Sequence, residues 1–527
     1  MKPWDRERFL DRLRSWLLGS AALVLIGLVF YLGTRSERSG FVREVIDPGF
    51  KRISTPVLNA FRGEPPTVAR LVLSLPPMSW DSLGAWSERA YLKQRIAVAA
   101  KPPASEARLL IGDRDLPAQL GVHSGAFPMG RPRFWPFEVA LAAGDTVLTM
   151  QRFEVCSFTD ASILWSVLFQ VVMADQGAVS PNTMVAEVTV NDHDLDLCAL
   201  IGTVDHTILA RVPGATGHVL RYDDALYLNA RAEMNERKRP SRMPTQADWL
   251  AAPLLIQGGD DRYSGTARSA VRRLEAFRAG QFPASTVFEP HALARIMALS
   301  DLFGTQDHLD WWNLRFLVDS LSADLMVLPL PLLRHAPISS ILGQQVQERT
   351  ADPGRAFVDR ALEDQRIHDL YLAYLDTFSS EGWWESTGAR TRPVWDAARK
   401  VVNADKPHLD LDLDEVLHDR TVIRQSLYPQ DIALAYVNDT LASTDGLVLA
   451  NVHGLPFDVV GVVLTTGDSI IFHLPLRVEP RSRDRPLRYT YLPLDLPGSP
   501  REILIRLGPA LPPRGVRIRT WSSLGSN

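Results

Sequence analysis

The sequence predicts an α+β protein with an N-terminal transmembrane helix, a mixed α+β middle and a C-terminal all-β sandwich. Three observations predict it. Residues 16–33 form an apolar run of eighteen residues without a charge. The middle alternates strand-like runs with segments of helical period. The last hundred residues hold seven short apolar runs parted by turn signals.

The chain has 527 residues, about three folded units at roughly 100–200 residues each. Hydrophobic residues make up 46% and charged residues 22%, which excludes disorder over most of the chain. A net charge of −4 asks for no nucleic-acid surface, so no nucleic-acid partner is expected. Two cysteines exclude a disulfide-dense scaffold, a four-cysteine zinc site and a cysteine-ligated iron–sulfur cluster.

Each element has its own signal. Residues 16–33 are just long enough for a ~30 Å hydrocarbon core. Five basic residues precede the run and three follow it, which places the N-terminus in the cytoplasm. Trp16 and Tyr31 stand at its two ends. A cleaved signal peptide would have a shorter core and a small-residue cleavage site. The membrane is therefore an expected partner through residues 16–33. The expected location is the inner membrane, single-pass, with the bulk in the periplasm. That compartment is oxidising, so Cys156 and Cys198 either pair or pack as two small hydrophobes.

Prolines 48, 56, 65 and 66 mark a linker over residues 34–66. Strands are expected at 70–75, 107–112, 135–141 and 146–150, and a hairpin at 184–190 and 196–201. Residues 161–175 carry a helical apolar stripe. Helices are expected at 264–280 and 290–303, the second opened by Pro290 and stopped by Gly304. A strand pair follows at 314–318 and 325–330, then a long helix from Asp352-Pro353 to about Phe378. Seven strands over 432–521 suggest the sandwich.

The stretch from Phe288 to Leu333 contains HALARIMALSDLFGTQDHLDWWNLRF and LVDSLSADLMVLPLPLL. It resembles the spore-coat-protein-H-like (CotH) kinase family. There a helix ends in a Leu-Phe-Gly-like turn, a loop leads to an Asn-hydrophobic-Arg-Phe strand, and a hairpin brings in a second strand ending in Asp. The resemblance spans roughly residues 70–500 at low identity and is sharpest at Leu302 to Phe316. It implies a two-lobed, kinase-like α+β domain over residues 67–425, after the anchor (1–33) and linker (34–66) and before the sandwich (426–527).

A kinase needs an Asp to orient the substrate hydroxyl, and an Asn and a second Asp to hold magnesium. Asp307 precedes Asn313 by six positions and Asp310 by three, whereas protein kinases use five, the place of His308. Asp307 is the better catalytic candidate, against a solvated loop carboxylate. Asn313 is the other, against a turn-forming amide. Leu333 stands where the resemblance implies the second Asp, and a hydrocarbon cannot hold a hard cation. Asp324 and His335 are the nearest alternatives. Glu138 and Ala140 replace the basic residues implied in the N-lobe, and from Cys198 through Leu200 onward no acid occurs before Asp205.

The resulting expectation is a catalytically degenerate CotH-like protein, a scaffold or binding component of an envelope assembly. Its partner would be a protein or surface polymer, and no cofactor is expected. The alternative is an active atypical protein kinase using ATP and magnesium. Other constellations point elsewhere: Asp410, Asp412 and Asp414 alternate with leucines and read as a solvated edge, and Trp311-Trp312 and Trp383-Trp384 read as packing pairs.

Overall fold

The computed structural model describes residues 68–89, 96–97, 103–122, 125–126, 136–158, 161–179, 181–203, 215–237, 245–257, 262, 264–328, 335–345, 353–406, 409, 411, 413–437, 446–481, 486–494 and 496–520. The chain divides into two compact units, Met1–Thr67 with Lys400–Asp410, and Val68–Arg399 with Leu411–Asn527. Of the first, the described part is a helix end and the turn behind it, where the Leu409 N–H donates to the Lys406 carbonyl at 2.9 Å.

The second unit opens with strands β1 (Ala69–Ser74), β2 (Ile96–Ala97), β3 (Ala104–Ile111), β4 (Arg114–Val122), β5 (Gly125–Ala126), β6 (Phe137–Leu141), β7 (Arg152–Ser157), β8 (Thr183–Val190) and β9 (His193–Gly202). β2 and β5 make a small ribbon; the other seven close into a barrel in the order β1-β3-β4-β6-β7-β9-β8. Every pair is antiparallel except the closing one, where β8 runs parallel to β1 with Leu71 opposite Val188 and Leu73 opposite Val190. Closure removes both sheet edges. Alternate residues fill the interior, among them Leu71, Leu73, Leu109, Leu120, Val139, Phe153, Val188 and Leu200. Helix α1 (Pro77–Ser87) starts on a proline and packs Leu83, Trp80 and Trp86 against this core.

Cys156 pairs with Ala199 across β7 and β9, and Cys198 with Ser157. Cys198 belongs to the barrel interior with Val155 and Leu200, so Cys156, one step along, faces outward. Neither thiol is in a disulfide and both are buried, and burial pushes the Cys156 thiol up. The pairing alternative is thereby overturned.

Helix α2 (Ser162–Asp175) is buried on nearly every side, from Ile163 to Met173. A four-stranded sheet follows in the order β11-β10-β12-β13, built from β10 (Ala215–Tyr222), β11 (Leu254–Gln257), β12 (Arg315–Asp319) and β13 (Leu325–Leu328). The helices of this part of the chain are α3 (Ala225–Glu236), α4 (Gln246–Ala251), α5 (Ser264–Arg278), α6 (Pro290–Leu302), α7 (Leu342–Gln345), α8 (Ala356–Leu362), α9 (Gln365–Phe378), α10 (Glu381–Asp405) and α11 (Leu413–Leu427). One face of the sheet is aromatic: Tyr222 meets Phe316 edge-on at 5.7 Å, and Phe288 meets Phe357 at 5.3 Å. The other face presents Val219, Leu317 and Leu328, packed by Val179 and Met326.

The C-terminal strands are β14 (Ala433–Val437), β15 (Gly446–Asn451), β16 (Phe457–Leu464), β17 (Ser469–Val478), β18 (Tyr489–Pro493), β19 (Pro500–Arg506) and β20 (Arg514–Thr520). They form one sheet in the order β17-β16-β19-β20-β14-β15-β18.

The expected architecture is corrected in three places. The kinase-like two-lobed domain does not appear; a closed seven-stranded barrel takes the place of an open N-lobe sheet, because β8 returns to pair with β1. The sandwich is instead a single sheet, joined where β20 runs parallel to β14. Among the described residues no helix is long and apolar enough to cross a membrane, against the expected transmembrane helix and signal anchor. The run at residues 16–33 lies outside the described residues.

Two local expectations also shift. Residues 146–150 form a tight turn rather than a strand, since Leu148 and Thr149 take φ of 50° and 69°, and the strand begins at Arg152. The long helix from 352 breaks into a 3-10 turn, α8 and α9, because Asp364 caps α9 by accepting the Arg366 N–H at 2.9 Å.

Candidate functional site

The segment from α6 to β12 carries the predicted residues. Glu289 caps α6 by accepting the His291 N–H at 3.1 Å, and Pro290 fills the first turn. The helix ends at Phe303 and Gly304, whose φ is +54°. A side chain on Gly304 would also meet Asp419 Oδ2 and His335 Cδ2, each at 2.8 Å. Glycine is required there twice over, by backbone conformation and by space. A 3-10 turn, Gln306–Leu309, then leads to β12.

Asp307 lies on that turn with its side chain 79% exposed, and its Oδ1 is 3.7 Å from an Arg355 guanidinium nitrogen. The Asn313 Nδ2 donates to the backbone carbonyl of Asp307 at 2.9 Å, and the Asn313 N–H donates to the Asp310 carbonyl at 2.8 Å. The structure thus brings Asp307 and Asn313 together through backbone, with the amide closing a turn. His308, at the kinase spacing, points inward. Its Nε2 is 3.1 Å from Ser300 Oγ, and its ring meets Phe169 edge-on at 5.4 Å. Burial lowers its pKa to about 4, so it is neutral at pH 7.

Asp324 is engaged elsewhere: Arg273 Nη2 donates to its Oδ1 at 2.8 Å and Arg273 Nη1 to the Ser322 carbonyl, clasping the β12–β13 hairpin. Leu333 and Asp205 lie outside the described residues, while Leu200 fills the barrel interior. Glu138 pairs with Arg152, whose Nε donates to it at 3.0 Å. Asp414 and Glu415 open α11, so the alternating aspartate run enters a helix. Trp383 packs on Phe378 at 4.8 Å and Trp312 stacks on Tyr227 at 5.4 Å.

His335 is held between two carboxylates. Its Nδ1 is 2.8 Å from Glu415 Oε2 and its Nε2 is 3.0 Å from Asp419 Oδ2, and its ring stacks on Trp165 at 4.4 Å. Asp419 also accepts the Ile338 N–H at 2.9 Å. Because the ring stands between the acids, the three cannot converge on one ion. Among the described residues no group of three or more His, Cys, Asp or Glu is placed to hold a metal.

Sequence reasoning missed the polar centre of this region. Asp301 is fully buried in α6. It accepts from the Tyr371 hydroxyl, from Gln306 Nε2 at 2.5 Å and from the Leu342 N–H at 3.2 Å. Burial outweighs these bonds and pushes its carboxyl up to about 7. The available signal was an acid adjoining Leu302 and Phe303 on a helix otherwise apolar on that side. Two open hollows lie apart from Asp307. One, about 470 Å³, is lined by Leu75, Trp80, Asp81, Asn191 and His193 at the end of the barrel. The other, about 620 Å³, lies between α9 and Pro509-Ala510.

Compared with models of known protein families and with curated proteins, the chain matches none, and its likeness to the CotH group rests on the sequence motifs alone.

Proposed function

We propose that this chain is a divergent CotH-like protein that binds or scaffolds and does not transfer phosphate. Its partner is a protein or a surface polymer of an envelope assembly, and it works without nucleotide or magnesium. One observation carries the reading: the Asn313 carboxamide is spent on the Asp307 carbonyl at 2.9 Å, while the Asp307 carboxylate faces solvent beside Arg355. Phosphoryl transfer depends on acids and amides fixed around the phosphate and its cations. An exposed carboxylate and a turn-closing amide supply local structure instead.

The test incubates the full chain with labelled ATP, with magnesium or manganese, and with generic acceptor proteins. The expected result is no transferred label and no nucleotide-dependent rise in melting temperature, because any ligand preferring the native state raises it. Transfer that disappears in Asp307→Ala and Asn313→Ala would overturn the reading and restore an atypical kinase.

A further inference from the structure

We propose that Arg221 and Arg315 form a binding site for a phosphate group. Val219 stands opposite Leu317, and Leu220 opposite Phe316, on antiparallel β10 and β12. One step further along the same register, Arg221 stands opposite Arg315. Both side chains share the face of Val219 and Leu317, away from the aromatic cluster. Like charges directly opposite on neighbouring strands repel.

The surroundings leave the pair without a close acceptor for every donor. Arg315 Nη1 donates to the carbonyls of Trp312 at 3.1 Å and Leu314 at 2.9 Å, which fixes the guanidinium. No carboxylate among the described residues lies within ion-pair distance of it. The closest acid to Arg221 is Asp224, at 3.9 Å, and the Nε of Arg221 is buried without a hydrogen-bond partner. Glu154 of β7 is the other acid whose field reaches Arg315. Burial and the neighbouring Arg221 lower the Arg315 pKa to about 10, while burial raises that of Asp224. Two half-buried cations and one orphaned donor face two acids, Asp224 and Glu154, neither within hydrogen-bond reach, which describes a site short of close acceptors.

A tetrahedral phosphate fits that shortage. Its several acceptor oxygens can take bonds from both planar forks, which suit phosphate better than an ammonium does. The phosphate arrives either free or as an ester carried on a polymer. The inference holds whether or not the chain transfers phosphate, so the two tests fail separately.

The experiment titrates the full chain calorimetrically with inorganic phosphate and, separately, with a polyphosphate chain, at constant ionic strength in chloride. Saturable binding is expected for at least one probe, weakened at least about tenfold in Arg221→Gln and in Arg315→Gln. Binding of both probes marks free phosphate as sufficient; binding of polyphosphate alone marks a polymer as the source. Without phosphate, Arg221→Gln is expected to melt at or above the wild-type temperature, since it relieves the cross-strand repulsion. This second measurement decides even if Arg315→Gln fails to fold. No saturable binding of either probe, unchanged affinity in Arg221→Gln, or a lower melting temperature of that variant without phosphate would each overturn the proposal.

Discussion

Asp301 makes the stability of this protein depend on pH in a direction unusual for an aspartate. Its carboxyl is fully buried and accepts from Tyr371, Gln306 and Leu342, yet its pKa in the fold is about 7 against an ordinary value of 3.8. Between those values the folded state holds a proton that the unfolded chain has released. Stability from this group is therefore complete below about pH 4 and lost as pH rises through 7. Each pH unit in that window is worth at most about 1.4 kcal/mol. From pH 5 to pH 7 the loss is on the order of 2 kcal/mol. Asp301→Asn cannot titrate and isolates the effect. Urea unfolding midpoints of wild type and variant, measured at half-unit steps from pH 5 to 8, give the difference directly. Whatever constant offset the amide introduces, wild type should lose ground steadily up to pH 7 and then level off. A difference that stays constant within about 0.5 kcal/mol across the range would show that the carboxylate is ionised throughout and refute the reasoning.

His308, on the turn that follows α6, acts with the opposite sign. Its folded pKa of about 4 lies below the ordinary value of 6.5, so its stabilisation is full above 6.5 and lost as pH falls through 4. His308→Gln should flatten the acid side of the stability profile, as followed by thermal melting from pH 4 to 7; an unchanged acid slope would count against a neutral buried imidazole. Gly304→Ala forces an L-residue to φ +54° and presses a methyl against Asp419 and His335. A loss of at least about 2 kcal/mol is expected from chemical denaturation, and a neutral result would mean that the turn relaxes freely.

Local pattern was legible in the sequence and long-range pairing was not. The hairpin of β8 and β9 follows from alternation around Asn191-Asp192, and α6 from Pro290 and Gly304, because both signals lie within a few residues. Nothing local tells an open sheet from a closed one. The step that makes the barrel is Leu71 meeting Val188, more than a hundred positions away, and the C-terminal sheet is joined by Ala435 meeting Ile518, more than eighty positions away. Period-two alternation fits either outcome. The candidate site divides likewise. Asp307 and Asn313 follow from the resemblance to the CotH family, and the structure leaves the Asp307 carboxylate exposed and the Asn313 amide on the Asp307 carbonyl. Arg221 and Arg315 escaped notice because only strand register places them side by side.

The two cysteines occupy opposite surfaces of one barrel wall, Cys198 within and Cys156 without. A sheet one backbone thick keeps their sulfurs apart however strongly the surroundings oxidise. The wall consequently has no covalent latch to open or shut, and reductant or oxidant should leave its melting point where it was.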